Sequence, residues 1–403
     1  MPRQLSDAAI AVVKATAPAL AVHGLAITRE MYANMFRNPA IRDLFNQSHH
    51  GGEASQPKAL AAAVLAYARN IDNLPALAGA VERIAQKHVG MQILPEHYPH
   101  VAEALLGAIR TVLGEAATPE IMQAWGEAYW FLADVLIERE RAIYGEIAAA
   151  EGGWNGWREF VVTEVRPESS IVRSFILTPA DDGPAARHRP GQYLTLWLDI
   201  PGQPPVKRNY SVSSAPDGRT YRITVKREPH GLASRWLHDR VKTGDRLKVG
   251  APAGEFWFRS PPERPVALLS GGVGLTPMVA MLEHIAAASP QQRVLFAHGA
   301  FDGSVQAMGR HVRELMEKLP NGRATFFHEA PSPAAVRGVD YDEAGVIAAD
   351  WLRRATPLAE ADYYVCGPRP MLRDVVAALA AAGVPAARIH YEFFGPADEA
   401  LAA

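Results

Sequence analysis

Glycine and proline are spread unevenly along this 403-residue chain, and that distribution limits what each part can fold into. Residues 1–150 hold 9 Gly and 8 Pro, whereas the other 253 hold 23 of each. Glycine costs backbone entropy in a helix and proline lacks a donor there. The first part is therefore expected to be helical, and the rest to consist of short elements joined by turns. Hydrophobic spacing agrees. Val81, Ile84, Ala85, His88 and Val89 fall on one helical face, as do Tyr98, Val101, Ala102, Leu105, Ile109 and Val112. A third helix is predicted from about Pro119 to Gly145, striped by Trp125, Tyr129, Leu132, Ala133, Leu136, Ile137, Ile143 and Tyr144, with Thr118 and Pro119 as cap and first residue.

Glu151-Gly-Gly-Trp-Asn-Gly-Trp157 breaks this pattern as a domain joint. Short alternating runs follow, Phe160 to Val165, Ile171 to Leu177, Tyr193 to Leu198 and Tyr221 to Val225, separated by Pro, Gly and Asp, which predicts an antiparallel barrel or sandwich. From about Pro265 the order becomes apolar strand, glycine turn and helix: Val266 to Leu269, then a helix to about Ala287, then Val294 to Phe296. Tyr363 to Val365 and Val375 to Ala382 continue that alternation, which predicts a parallel sheet. The expected architecture is multidomain: all-α over 1–150, an antiparallel β-barrel over 151–261, and an α/β parallel-sheet domain over 262–403. Two to four domains also suit the length at roughly 100–200 residues each.

The 41 Lys+Arg nearly balance the 43 Asp+Glu. No basic surplus exists to neutralise nucleic acid or an anionic bilayer, so neither is expected as a partner. Arg3 and Asp7 make the N-terminus unlike a secretory signal. The uncharged stretch from Pro265 to Leu282 is broken by Gly271, Gly272, Gly274 and Pro277 and is unsuited to crossing a membrane. The single cysteine, Cys366, excludes an internal disulfide or a multi-cysteine metal site and points to a reducing, cytoplasmic location.

Three polar residues stand out in the helical part. His88 alone on an apolar face is compatible with a satisfied core histidine. Glu140 lies three and four residues after Ile137 and Leu136, so either it points inward and needs partners, or its helix has turned outward by that point. Tyr98 opens an apolar stripe and would bring a hydroxyl to the same place. Together they suggest a histidine that binds iron through one ring nitrogen and donates the other N–H to a buried acceptor.

On these residues, 1–150 resembles a globin domain of the flavohaemoglobin type. Ile84-Ala-Gln-Lys87-His88 matches the proximal haem segment and Pro95-Glu-His-Tyr98 its neighbour. The resemblance implies His88 as axial iron ligand, with Tyr98 and Glu140 as its hydrogen-bonded support. It implies Tyr32, in Met31-Tyr-Ala-Asn-Met-Phe36, as the distal tyrosine, Phe45 in Leu44-Phe-Asn46 packing on the porphyrin, and Gln56 and Leu60 as distal glutamine and leucine. Pro57 after Gln56 departs from the pattern, and a helix is expected to start there.

The rest resembles the ferredoxin-reductase-like half of the same family. Arg189-Pro-Gly-Gln-Tyr193 precedes Arg208-Asn209-Tyr210-Ser211, in which Arg208 suits a phosphate, the Tyr210 ring an aromatic ring system and Ser211 a ring nitrogen. After Val225-Lys226-Arg227, Gly231-Leu232-Ala233-Ser234 provides backbone N–H groups for a pyrophosphate. Ser270-Gly271-Gly272-Val273-Gly274-Leu275-Thr276-Pro277 follows a strand and opens a helix, the context of a dinucleotide turn. With Cys366-Gly367-Pro368 it resembles the family's NAD domain, which implies Cys366 near the nicotinamide. In the closing segment, His390 to Pro396, the resemblance implies that Glu392, Phe393 and Phe394 approach the flavin.

The resemblance implies a nitric oxide dioxygenase with heme b, FAD and NADH or NADPH, acting on NO and O2 as a monomer. Asp302 after the second strand of the last domain favours NADH, with Arg310 close by in sequence. Two alternatives differ in class: an O2-binding or gas-sensing globin, and a general flavin reductase acting on quinones, ferric chelates or hydroperoxides.

Overall fold

The computed structural model describes residues 3–45 and 55–394. The chain forms two compact units, one holding the residues up to Ala149 with Pro201–Lys207, the other holding Ala150–Ile200 and the residues from Arg208.

The first unit is helical: α1 (Asp7–Ala15), α2 (Ala17–Met35), α3 (Pro39–Arg42), α4 (Ser55–Arg69), α5 (Ala78–Met91), α6 (Tyr98–Leu113) and α7 (Pro119–Ala149). The ends follow local chemistry. Ser6 caps α1 by accepting from the Ala9 N–H, and proline stands in the first turn of α2, α3 and α6. α7 continues past Gly145 to Ala149 because Ile143 and Ile147 pack against the helices beside it. The main core is built from Val13, Ile27, Met31, Ile109, Trp125 and Ala128. A second cluster, Ala85, Val89, Tyr98, Ala133, Leu136 and Ile143, lies where α5, α6 and α7 meet. Among the described residues no single helix is long and apolar enough to cross a membrane.

The second unit contains two sheets, apart from Val206 and Lys207 at the start of the fourth strand, which belong to the first. The antiparallel one is built from β1 (Trp157–Pro167), β2 (Val172–Pro179), β3 (Tyr193–Leu198), β4 (Val206–Ser211), β5 (Tyr221–Lys226) and β6 (Arg246–Gly250), in the order β4-β3-β6-β1-β2-β5. Val212, directly after β4, bridges to Ile223 in β5, so the two edges meet and the sheet closes as a barrel. Helix α8 (Leu232–Arg240) follows β5. The parallel sheet has β7 (Val266–Gly271), β8 (Val294–Ala300), β9 (Gly322–His328), β10 (Glu343–Ala344), β11 (Asp362–Cys366) and β12 (Ile389–Glu392), connected through α9 (Leu275–Ala288), α10 (Gly309–Met316), α11 (Ala349–Ala355) and α12 (Arg369–Ala381). Every residue of β7 and β11 is buried, as expected for strands covered on both faces. The order β10-β9-β8-β7-β11-β12 means that the chain builds outward from β7 on one side and then returns to β7's other side. The crevice between the C-terminal ends of β7 and β11 is thus a topological switch point, the place where such sheets bind ligands.

Candidate haem, flavin and nucleotide sites

α5, α6 and α7 bring His88, Tyr98 and Glu140 together. His88 Nδ1 lies 2.7 Å from Glu140 Oε1, the Tyr98 hydroxyl donates to that same oxygen at 2.6 Å, and the hydroxyl is 3.2 Å from Nδ1. Glu140 is 2% exposed, so α7 has not turned outward at this point. Burial, and then the charge of Glu140, pushes the Tyr98 phenol up, which keeps it protonated as the donor. With Nδ1 donating to the carboxylate, the His88 lone pair is on Nε2, and the side chain stays 27% exposed although both supports are buried. The carboxylate's other oxygen, Oε2, is buried without a hydrogen-bond partner among the described residues.

Two tyrosines that the apolar pattern treats as core lock this cluster. The Tyr129 hydroxyl donates to the Tyr98 carbonyl at 2.7 Å, and Tyr144 donates to the Ile93 carbonyl at 3.1 Å. Ile93 in turn donates to the His88 carbonyl, and Gln92, at φ 62°, closes α5. Their targets are main-chain atoms of other segments, so no side-chain motif signals them. Lys87 is half-buried beside His88.

Tyr32 is 7% exposed on α2, its ring 5.5 Å from Phe36 and edge-on to Phe45 at 5.9 Å. Phe45 and Leu60 are partly buried against the same core. Gln56 and Pro57 stand in the first turn of α4, and the Thr28 hydroxyl donates to the Pro57 carbonyl at 2.8 Å, tying that turn to α2 one turn before Tyr32. Asn46 lies outside the described residues. Among the described residues no three His, Cys, Asp or Glu side chains converge on one point. With Nδ1 held by Glu140 and Nε2 left as its lone-pair nitrogen, His88 fits the single axial histidine of a haem.

In the barrel, Arg208 and Tyr210 alternate on one face of β4, with Asn209 exposed between them and accepting from Thr195 Oγ1 at 2.9 Å. Burial pushes the Tyr210 phenol up and pulls the Arg208 guanidinium down. Ser211 is buried, and so is Tyr193, whose phenol is pushed up by burial and then by the charges of Glu392 and Glu255. Glu392 sits opposite Cys366 in the β11–β12 pairing. Tyr193, Cys366 and Glu392 thus belong to one neighbourhood. Phe393 is half-buried and Phe394 is 45% exposed, while Gly395 and Pro396 lie outside the described residues. At the start of α8, Ala233 and Ser234 are buried and Leu232 is 41% exposed. Ser234 Oγ accepts from the Glu228 N–H at 3.1 Å, and a side chain on Gly231 would strike it. Lys226 pairs with Glu228 at 2.8 Å.

At the switch point, two turns pack backbone against backbone. A Cβ on Gly274 would collide with the Cys366 carbonyl and lie 2.7 Å from Gly367 N, and one on Gly271 would lie 2.6 Å from Met371 Sδ. Gly272 has φ +53° and no atom within 4 Å of where a Cβ would stand, so the exposed backbone there faces open space. Val273 beside it is half-buried, whereas Leu275, Thr276 and Pro277 are buried and fix the start of α9. This cradle fits a dinucleotide. Ser270 Oγ is 3.0 Å from Nδ1 of the fully enclosed His298, whose pKa burial pulls down to about 4, a neutral support behind the turn. Cys366 is fully buried and its thiol is pushed up by burial, so it is present as SH. Asp302, after β8, accepts from the Ser304 N–H at 2.8 Å and from Ser304 Oγ at 2.6 Å.

Three family models match in chain order: globin over residues 29–136, an oxidoreductase FAD-binding domain over 160–258 and an oxidoreductase NAD-binding domain over 268–377. The chain is 51% identical over 403 residues to the flavohemoprotein of Xylella fastidiosa strain Temecula1, covering 100% of both chains, and 47% identical over 400 residues to that of Bordetella pertussis, covering 97% of this chain and 98% of the relative. Among solved structures it is similar to a flavohemoglobin from Malassezia yamatoensis crystallised with bound FAD and heme, with a TM-score of 0.86 and 26% identity over 97% of this chain and 100% of that one. The FAD/NAD-binding domain of a nitric oxide dioxygenase from Vibrio cholerae is 37% identical, with a TM-score of 0.54, over 59% of this chain and 99% of that one. A helical globin unit followed by an antiparallel flavin barrel and a parallel nucleotide sheet, matched end to end by these relatives, places this chain in the flavohaemoprotein family.

Proposed function

We propose that this protein is a nitric oxide dioxygenase, converting NO and O2 to nitrate with electrons from NADH or NADPH. The observation that carries this reading is the buried His88–Glu140–Tyr98 cluster in a chain that also holds the flavin strand and the dinucleotide turn. When bound, haem b supplies a one-electron centre for O2, NADH or NADPH a hydride, and FAD the conversion between them. The chain's own residues do the rest, in domains with joints near 151 and 262.

Glu140 accepts from His88 Nδ1–H, fixes the tautomer and raises the basicity of Nε2 as iron ligand. Tyr32, held between Phe36 and Phe45, directs its hydroxyl to the small ligand and stabilises negative charge there, with Gln56 assisting. Phe45 and Leu60 exclude water. Lys87, half-buried beside His88, would also contact the haem. Arg208 would pair with a flavin phosphate, Tyr193 and Tyr210 would cover the ring system, Asn209 and Ser211 would hydrogen-bond it, and Gly231–Ser234 with Lys226 would hold the pyrophosphate. Gly271–Pro277 and Cys366–Pro368 would hold the nicotinamide dinucleotide, and Glu392, Phe393 and Phe394 would contact the flavin. Asp302, following β8, is an acidic residue of the kind that disfavours a 2′-phosphate, which supports NADH as the better donor. A near-neutral chain with one buried thiol suits a cytoplasmic monomer acting on small molecules.

The decisive experiment measures NO consumption by the purified protein with O2 and NADH, quantifies nitrate, and records haem and FAD spectra, with NADPH in parallel. Absence of nitrate would overturn the reading. Tyr32→Phe should speed O2 dissociation from the reduced protein about 10- to 100-fold, the cost of a hydrogen bond to a charged group; an unchanged rate in stopped-flow would remove Tyr32 from the mechanism. Glu140→Gln should lower the Fe–His stretching frequency and slow turnover about tenfold, as loss of an outer partner to a metal-bound histidine does. An unshifted resonance Raman band would count against that role.

A further inference from the structure

Glu283 lies in the middle of α9 and belongs to no motif, yet it is the junction of four segments. Its Oε1 is 2.6 Å from Arg222 Nη2 in β5 and 2.6 Å from His311 Nε2 in α10. Its Oε2 accepts the Ala215 N–H, in the segment after β4, at 2.8 Å. Arg222 is 8% exposed and is itself anchored: Nε donates to Ser213 Oγ at 3.2 Å, and Nη2 also bonds the Ser213 carbonyl. Ser213 Oγ is 2.7 Å from Thr224 Oγ1, Thr224 is 2.8 Å from Ser174 Oγ, and Ser174 donates to Glu168 at 2.7 Å. A chain of buried hydroxyls therefore ties the barrel wall to this carboxylate. Burial pushes the Glu283 carboxyl up, but the His311 hydrogen bond, the Arg222 charge and the Ala215 N–H together hold it below the ordinary carboxylate range, so it is ionised.

We infer that Glu283 and Arg222 are positioning residues for hydride transfer, fixing the dinucleotide turn against the flavin strand. The inference rests on the proposed flavin and nicotinamide sites. On the barrel side, the bonded atoms belong to Ser213 and Ala215, just after Ser211 of the flavin strand. On the other side Glu283 is in the helix that starts at the glycine turn, and His311 lies in the helix following the Asp302 loop. At about 1.5 Å rise per residue, Glu283 is roughly 14 Å along α9 from Gly274. A tilt of roughly 5° about that anchor would move the turn by about 1 Å, and a displacement of that size costs up to about 100-fold in rate. Apolar contacts alone tolerate sliding, whereas a largely enclosed ion pair with several directional bonds holds one register.

The test uses the full-length holoprotein, NADH and C4-deuterated NADH. Glu283→Gln keeps the shape and an acceptor for Ala215 but removes the charge. Arg222→Lys keeps the charge but removes the fork that bonds Ser213 and Glu283 together. At saturating NADH, flavin reduction in stopped-flow should fall about tenfold in Glu283→Gln and about threefold in Arg222→Lys. NADH affinity should change less than about twofold, and the deuterium isotope effect on flavin reduction should increase. Flavin-to-haem transfer after photoreduction should stay within about twofold. If Glu283→Gln does not fold, Arg222→Lys decides. Parent-like flavin reduction in every variant that folds overturns the inference, as does an equal loss of rate and affinity with an unchanged isotope effect. A parent protein whose flavin NADH does not reduce would overturn the proposed function as well, which separates the two failures.

Discussion

In a His88→Ala protein, NO-dependent nitrate formation is expected to fall by on the order of 1000-fold or more, while NADH still reduces the flavin within about twofold of the parent rate. Loss of an outer hydrogen-bond partner of a metal ligand typically costs about 10- to 100-fold, and His88 is the proposed ligand itself. The substitution leaves the Tyr98–Glu140 bond of 2.6 Å in place. The His88 ring loses its contacts to Glu140 and to the Tyr98 hydroxyl, at a stability cost of about 1–3 kcal/mol, and the helical unit remains folded. Arg208–Ser211 of the flavin strand, the dinucleotide turn and their supports lie in the other compact unit and are untouched. Nitrate assays beside flavin stopped-flow on one preparation separate the two activities. A His88→Ala protein that consumes NO at the full NADH-dependent rate would move the chemistry to the flavin and favour a general reductase.

The helical periodicity placed His88 and Tyr98 on inward-facing stripes and left Glu140 with two orientations. Over the 31 residues of α7 a small uncertainty in helical phase accumulates, so spacing alone does not decide which way a late position faces. The bond to His88, 52 residues away, decides it. The tyrosine locks were hidden for a related reason: Tyr129 and Tyr144 look like stripe residues, and their hydroxyls act on carbonyls brought near only by tertiary packing. The glycine turn was legible because strand, turn and helix are contiguous. Glu283 was not, because its side-chain partners are 61 and 28 residues distant and each taken singly is an ordinary polar side chain.

Gly274→Ala is expected to lower NADH-driven flavin reduction by about 100-fold or more, and to do so more severely than Gly271→Ala. Both glycines are in the same turn, but a Cβ meets different obstacles. At Gly274 it would collide with the Cys366 carbonyl and Gly367 N, main-chain atoms of a buried strand end that cannot rotate away. At Gly271 the nearest atom is the Met371 sulfur, the far end of a flexible side chain, although Pro368 Cδ at 3.0 Å still limits the adjustment. The Gly274 variant must therefore separate the two turns that form the cradle. A shift near 1 Å there is enough to reach the stated loss, since the nicotinamide depends on both turns while the flavin depends on the barrel. Stopped-flow flavin reduction across both variants, with FAD content and circular dichroism as folding checks, measures the difference. O2 binding by chemically reduced protein should stay normal, because the haem unit does not share this turn. Equal, mild effects of the two substitutions would mean that backbone contact between Gly274 and Cys366 is not what builds the cradle.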